Sequence, residues 1–233
     1  MMLDEFADGI WLANGTEVVA AMGFHYPTRM VVVRLTDGAL WVWSPVALSQ
    51  DIRAAVDAIG PVGYLVAPNH LHHVFLADWA EAYPQAELWA APGLAEKRGD
   101  LAFAGTLGND PAPPWSDVIE QVVIPGNRIT TEVVFYHIPS RTVLFCDLLQ
   151  QLPVGWFKGW RAIVARLDGM IGLEPSVPKK FRVAFSDKDA ARAAVRRILG
   201  WSPKAVVVAH GAPVTTDGTA VLERAFAWLR PRK

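Results

Sequence analysis

Cysteine is almost absent: Cys146 is the only one in 233 residues. An intramolecular disulfide and a cysteine-rich zinc site are therefore excluded, which fits a reducing compartment. Long apolar runs are also missing. No stretch approaches the ~20 residues of a membrane-spanning helix. The opening Met1-Met2-Leu3-Asp4-Glu5 is acidic, with no apolar run behind it, unlike a signal peptide. A cytoplasmic protein with no membrane association is the expectation. Neither charge sign dominates: 22 Lys+Arg against 23 Asp+Glu give a net charge of −1. No basic cluster is long enough to serve as a nucleic-acid footprint, so no nucleic-acid partner is expected. Glycine-rich phosphate loops and a Gly-x-Ser-x-Gly nucleophile elbow are absent too, which sets aside the enzyme classes built on them.

What remains is an apolar, globular composition, 52% hydrophobic and 19% charged. One domain over 1–233 is long enough to bury a sizeable core. Ten tryptophans belong mostly to that core. A homo-oligomer interface or an apolar pocket for a small-molecule substrate would take the others.

Residues 29–35 (RMVVVRL) and 39–43 (ALWVW) flank Thr36-Asp37-Gly38, a strong hairpin signal. The spacing of Ile52, Val56 and Ile59 predicts a helix over 48–59, capped by Ser49 and stopped by Gly60-Pro61. The apolar run 64–67 (YLVA) reads as a strand buried on both faces. A short helix at 77–82 and a strand at 87–91 follow, then a Pro-rich loop at 111–114. Further strands are expected at 118–124, 132–137, 142–148 and 205–209, and helices at 156–167, 186–199 and 219–229. Trp156, Phe157 and Trp160 are assigned to one buried helix face, with a lid over an apolar substrate as the alternative. The order is that of a layered α/β domain.

Six histidines are present: His25, His70, His72, His73, His137 and His210. Three lie within four residues, directly after the strand at 64–67. Asp147 ends another apolar strand (TVLFCD) and His210 a third (VVVAH). Three strand ends thus each deliver a metal-compatible side chain, and strand ends are where open α/β sheets place their sites. Imidazole and carboxylate ligands suit zinc, iron or manganese.

Together these motifs resemble the metallo-β-lactamase fold superfamily, and most nearly an uncharacterised branch with a degenerate metal motif. Leu144-Phe145-Cys146-Asp147 is similar to the superfamily's Asp-bearing strand, and Ala209-His210-Gly211 to its last histidine. Pro27-Thr28-Arg29-Met30 and Ala67-Pro68-Asn69 carry the flavour of that branch. The resemblance implies a four-layer αββα sandwich and a His-x-His-x-Asp-His loop. Two registers of that loop are open. In one, His70 and His72 are the opening pair. In the other, which we prefer, Pro68 replaces the first histidine, His72 takes the aspartate position and His73 is the final histidine. No histidine lies between Val74 and Tyr136, and Gly126-Asn127-Arg128 stands near the missing middle one. The first metal position is therefore incomplete.

The second position is implied to hold one divalent ion on His72, His73, Asp147 and His210. Zinc comes first, with iron or manganese as alternatives. His70 is expected to position water and Asp147 to serve catalysis. The implied function is a metal-dependent hydrolase with a single-metal site. The alternative is a non-catalytic binding or scaffold protein on the same fold.

Overall fold

The computed structural model describes residues 3–109 and 113–230. The start of the expected loop at 111–114, residues 111 and 112, lies outside the described residues. In chain order the strands are β1 (Leu3–Ala7), β2 (Ile10–Asn14), β3 (Val18–Val19), β4 (His25–Tyr26), β5 (Arg29–Arg34), β6 (Leu40–Trp43), β7 (Val62–Ala67), β8 (Glu87–Ala90), β9 (Gly105–Thr106), β10 (Ile119–Ile124), β11 (Glu132–His137), β12 (Thr142–Gln151) and β13 (Ala205–Gly211). The helices are α1 (Gln50–Asp57), α2 (Leu76–Ala82), α3 (Leu94–Lys97), α4 (Trp160–Asp168), α5 (Lys179–Ala184), α6 (Lys188–Gly200) and α7 (Gly218–Ala225).

Two large sheets result, ordered β1-β2-β5-β6-β7-β8-β9 and β10-β11-β12-β13. Strand alternation then separates three apolar layers. Val31, Val33, Trp41 and Trp43 of the first sheet meet Phe135, Leu144, Cys146 and Val207 of the second. The opposite face of the first sheet, with Met30, Val32 and Val42, is covered by Ile52 and Val56 of α1 and by Leu76 and Trp79 of α2. The opposite face of the second, with Val134, Phe145 and Val206, is covered by Val195 and Ile198 of α6 and Leu222 of α7. This is the expected four-layer αββα sandwich. Cys146 is buried in the middle layer. Burial above all, then the charges of Asp147 and Glu132, raises its thiol pKa, so it is inert packing.

The hairpin forms where expected. Gly38 takes a positive φ of 86°, and the Asp37 carboxylate accepts from Ala39 N at 2.9 Å. Ser49 caps α1 by accepting from Ile52 N. Two helices differ from expectation. The one expected at 156–167 begins only at Trp160, because Gly159 at φ 59°, ψ −143° breaks the chain direction. Trp156, Phe157 and Trp160 therefore do not share a helix face. Phe157 is buried against Leu152 and Met170, whereas Trp160 is partly exposed. The closing helix is interrupted after Ala225 and resumes as a single tight turn at Ala227–Leu229.

The strand expected at 142–148 runs on to Gln151, with a large irregularity in it. Phe145 pairs with Val208 and Gln150 with His210, so Cys146 to Leu149 stand opposite Ala209 alone. This bulge lifts Asp147 out of the ladder at the sheet edge. No helix among the described residues is long and apolar enough to cross a membrane.

Candidate metal centre

Three of the expected ligands meet at the end of the sandwich. His72 comes from the loop after β7, Asp147 from the bulge of β12 and His210 from β13. Their ligand atoms cluster closely. The two Nε2 atoms are 3.2 Å apart. His72 Nε2 lies 3.4 Å from Asp147 Oδ2, and His210 Nε2 lies 3.3 Å from Oδ1.

Each side chain is held from behind. His210 Nδ1 donates to Pro27 O at 2.7 Å. A carbonyl can only accept, so in the neutral ring Nε2 keeps its lone pair and points it at the cluster. His72 Nδ1 lies 2.7 Å from Ser44 Oγ. Ser44 follows β6 at φ 49°, a left-handed conformation that few non-glycine residues adopt. Asn69 stabilises two members at once. Its Nδ2 donates to Asp147 Oδ2 at 2.7 Å, and its Oδ1 accepts from Leu71 N and His72 N.

Burial, above all, pushes His72 down to about 4, outweighing the opposing pull of Asp147. The ring is therefore neutral at physiological pH. Burial opposes ionisation of Asp147, but the two imidazoles and the Asn69 amide outweigh it and hold the carboxyl below its usual range. Two imidazole nitrogens 3.2 Å apart, beside a carboxylate, form a compact group of three potential ligand atoms. Donor separations of 3.2–3.4 Å also match the edge of a tetrahedron with metal–ligand bonds of about 2.0–2.1 Å. The donor set fits a divalent ion.

The other expected residues lie elsewhere. His73 Nδ1 lies 3.0 Å from Arg98 Nη1, away from the cluster. His70 Nδ1 lies 3.3 Å from Thr130 Oγ1, and the carbonyl of His70 accepts from Lys97 Nζ. Asn127 is spent on structure, donating to Phe181 O and accepting from Ile129 N. His25 pairs with Glu17 at 2.5 Å, and His137 with Ser140.

Two positioning residues escaped the sequence reading. Glu132 is fully buried and accepts backbone N–H bonds from Cys146, Asp147 and Leu148 at 2.7, 2.8 and 2.9 Å. It replaces the ladder partner that the bulge removes, and so aims Asp147. Burial and then the charge of Asp147 push its carboxyl up to about 8, against the three donors. Arg29 donates Nη1 to the carbonyls of Val208 and Gly211, on either side of His210. Its other nitrogens bind Asn14 Oδ1, and burial lowers its pKa to about 10. A lone acid opening an apolar strand, and an arginine opening another, were the available signals.

The centre forms the floor of a cleft of about 800 Å³. Tyr26 leans over His210 with ring centroids 5.2 Å apart, and its hydroxyl accepts from Lys180 Nζ at 3.2 Å.

Sandwich and site together define the metallo-β-lactamase fold class. The DIM-1 metallo-β-lactamase exposed to ceftazidime aligns with a TM-score of 0.65 at 12% identity, over 98% of this chain and 97% of that one. The metallo-β-lactamase from Hirschia baltica aligns at 0.64 and 13%, over 100% and 99%. The FIM-1 metallo-β-lactamase from Pseudomonas aeruginosa in its mono-zinc form aligns at 0.62 and 14%, over 99% and 96%. Within that class the chain belongs to the DUF4336 family, a domain of unknown function whose model matches residues 7–158. The match takes in the histidine loop and Asp147 and ends before His210. No curated protein matches the sequence.

Proposed function

We propose that this chain is a metal-dependent hydrolase with a single-metal site on His72, Asp147 and His210, with zinc as the first choice of ion. The observation that supports this most is the mutual 3.2–3.4 Å spacing of three inward-facing donors on the floor of a cleft. Three protein ligands leave a fourth position open, as catalytic zinc sites require. When bound, the ion would supply Lewis-acid chemistry, polarising an ester-like bond and acidifying water. The protein's own contribution is to hold the donors rigid from behind through Ser44, Asn69, Pro27 and Glu132. FIM-1 has been solved in a mono-zinc form, which is in keeping with a single ion on this fold.

A binding or scaffold role without catalysis is the second reading. It is favoured by the loss of one expected ligand, His73, whose Nδ1 is turned to Arg98. Elemental analysis of protein purified without chelators tests the first step, and hydrolysis of simple esters the second. One equivalent of metal in the wild type and none in Asp147→Ala is the expected result, with ester hydrolysis lost in His210→Ala. Two equivalents in the wild type, or one surviving in Asp147→Ala, would refute the one-site reading. A loaded but inert protein would favour the second role.

A further inference from the structure

The cleft over the centre, about 800 Å³, lies toward the upper end of sites that enclose drug-sized molecules. Val19, Leu71, Val74, Ile129, Val164 and Leu167 line it, and all six are exposed. They come from β3, the loop after β7, the loop before β11, and α4. Exposed apolar residues scattered singly need no explanation, but a collar from four segments around one opening does.

The polar lining is sparse. Lys180 and Asp168 face each other at 3.9 Å, and the exposed Lys179, set against Asp147, leaves the lining formally neutral. Gln150, beside the centre on β12, is 1% exposed, and its Oε1 meets no hydrogen-bond donor. A buried acceptor without a donor costs stability, and a ligand bringing an N–H or O–H would relieve that cost.

We propose that the cleft binds an uncharged acyl compound with an apolar chain. Its chain lies along the collar. Its head carries a carbonyl over His72, Asp147 and His210 and an N–H or O–H donor for Gln150. That this compound is a substrate rests on the hydrolase reading; that it binds does not.

Titration calorimetry with butanamide, hexanamide and octanamide tests the binding on protein as purified and after chelation. Affinity should rise roughly fourfold per added methylene, with a negative heat-capacity change. Octanamide should bind about tenfold more tightly than its isosteric methyl ketone, which has no donor for Gln150. Gln150→Leu should erase that preference. Leu167→Asp should erase the chain-length dependence, since Leu167 is 64% exposed and the variant can fold. Leu173→Asp, outside the cleft, should bind as the wild type does.

Affinity independent of chain length would overturn the proposal, as would wild-type binding by Leu167→Asp. So would a dimer that Leu167→Asp disperses and that takes up no amide, because a second copy would then cover the collar. Turnover of short esters with no chain-length dependence overturns this proposal alone. Chain-dependent binding without turnover of any ester or amide supports it and overturns the hydrolase reading.

Discussion

Glu132→Gln isolates the device that aims Asp147. The glutamate accepts three backbone N–H bonds at 2.7–2.9 Å inside the core. In glutamine the amide oxygen can still serve the two donors now on Oε2, those of Asp147 and Leu148. The amide NH₂ then faces the Cys146 N–H. At pH 9, above the carboxyl's pKa of about 8, one charge-assisted bond is lost, two become neutral, and one buried donor is orphaned. With charged bonds worth about 1.5–3 kcal/mol, and an orphaned donor costing about 1–3, the net loss is about 2–4 kcal/mol. In a chain of this length each kcal/mol lowers Tm by about 2–4 °C. Thermal unfolding should therefore shift down by roughly 5–15 °C. A second readout separates positioning from mere stability. Residues that orient metal ligands typically change affinity about 10–100-fold, so zinc affinity at a temperature where the variant is folded should fall by that order. A Tm shift under about 2 °C with unchanged zinc affinity would show that the bulge holds its shape without Glu132.

Two further outcomes follow from where the histidines sit. His72→Ala should lose zinc by elemental analysis, whereas His73→Ala should retain it, because His73 Nδ1 is turned to Arg98; loss of zinc in His73→Ala would restore it as a ligand. His137 is buried beside Ser140, and burial depresses its pKa to about 4. The unfolded chain takes up that proton near pH 6.5 and the folded chain only near 4, so its contribution is complete above about 6.5 and is lost as pH falls. Between pH 7 and 5, denaturant titrations should show a loss of stability about 1–2 kcal/mol smaller in His137→Asn than in the wild type; parallel curves would refute the assignment.

What the sequence made legible was set by strand ends. An apolar run that stops at a polar residue marked the end of β7, the bulge inside β12 and the end of β13, the three places that bring His72, Asp147 and His210 together. The αββα layering was legible for the same reason, because hydrophobic alternation separates inward from outward faces. The direction of His73 was not legible. His70, His72 and His73 share a loop with no repeating geometry, so adjacent residues diverge freely, and the partner that turns His73 away is Arg98, 25 positions later. β1 and β2 went unread because β1, with the burial of an edge strand, is only half apolar. Glu132 went unread because its role depends on a bulge in another strand. The break at Gly159 was visible as a glycine, but the aromatic spacing around it imitated a helix.

The incomplete half of the site is filled rather than vacant. In the preferred register of the histidine loop, Pro68 stands where the superfamily has its first histidine. Its carbonyl accepts from Val133 N at 2.8 Å and ties the first sheet to β11. Asn127, near the place of the middle histidine, anchors α5 through Phe181 O and folds its own turn through Ile129 N. His70 is bound to Thr130 Oγ1 and, through its carbonyl, to Lys97. Each position that would present a ligand to a second ion now contributes a bond to the scaffold. A second ion would have to displace the side-chain bonds of Asn127 and of His70 Nδ1 before gaining those atoms as donors, each worth about 0.5–1.5 kcal/mol. Excess metal should therefore saturate the protein at one equivalent, and the reason lies in those scaffold bonds as much as in the missing imidazole.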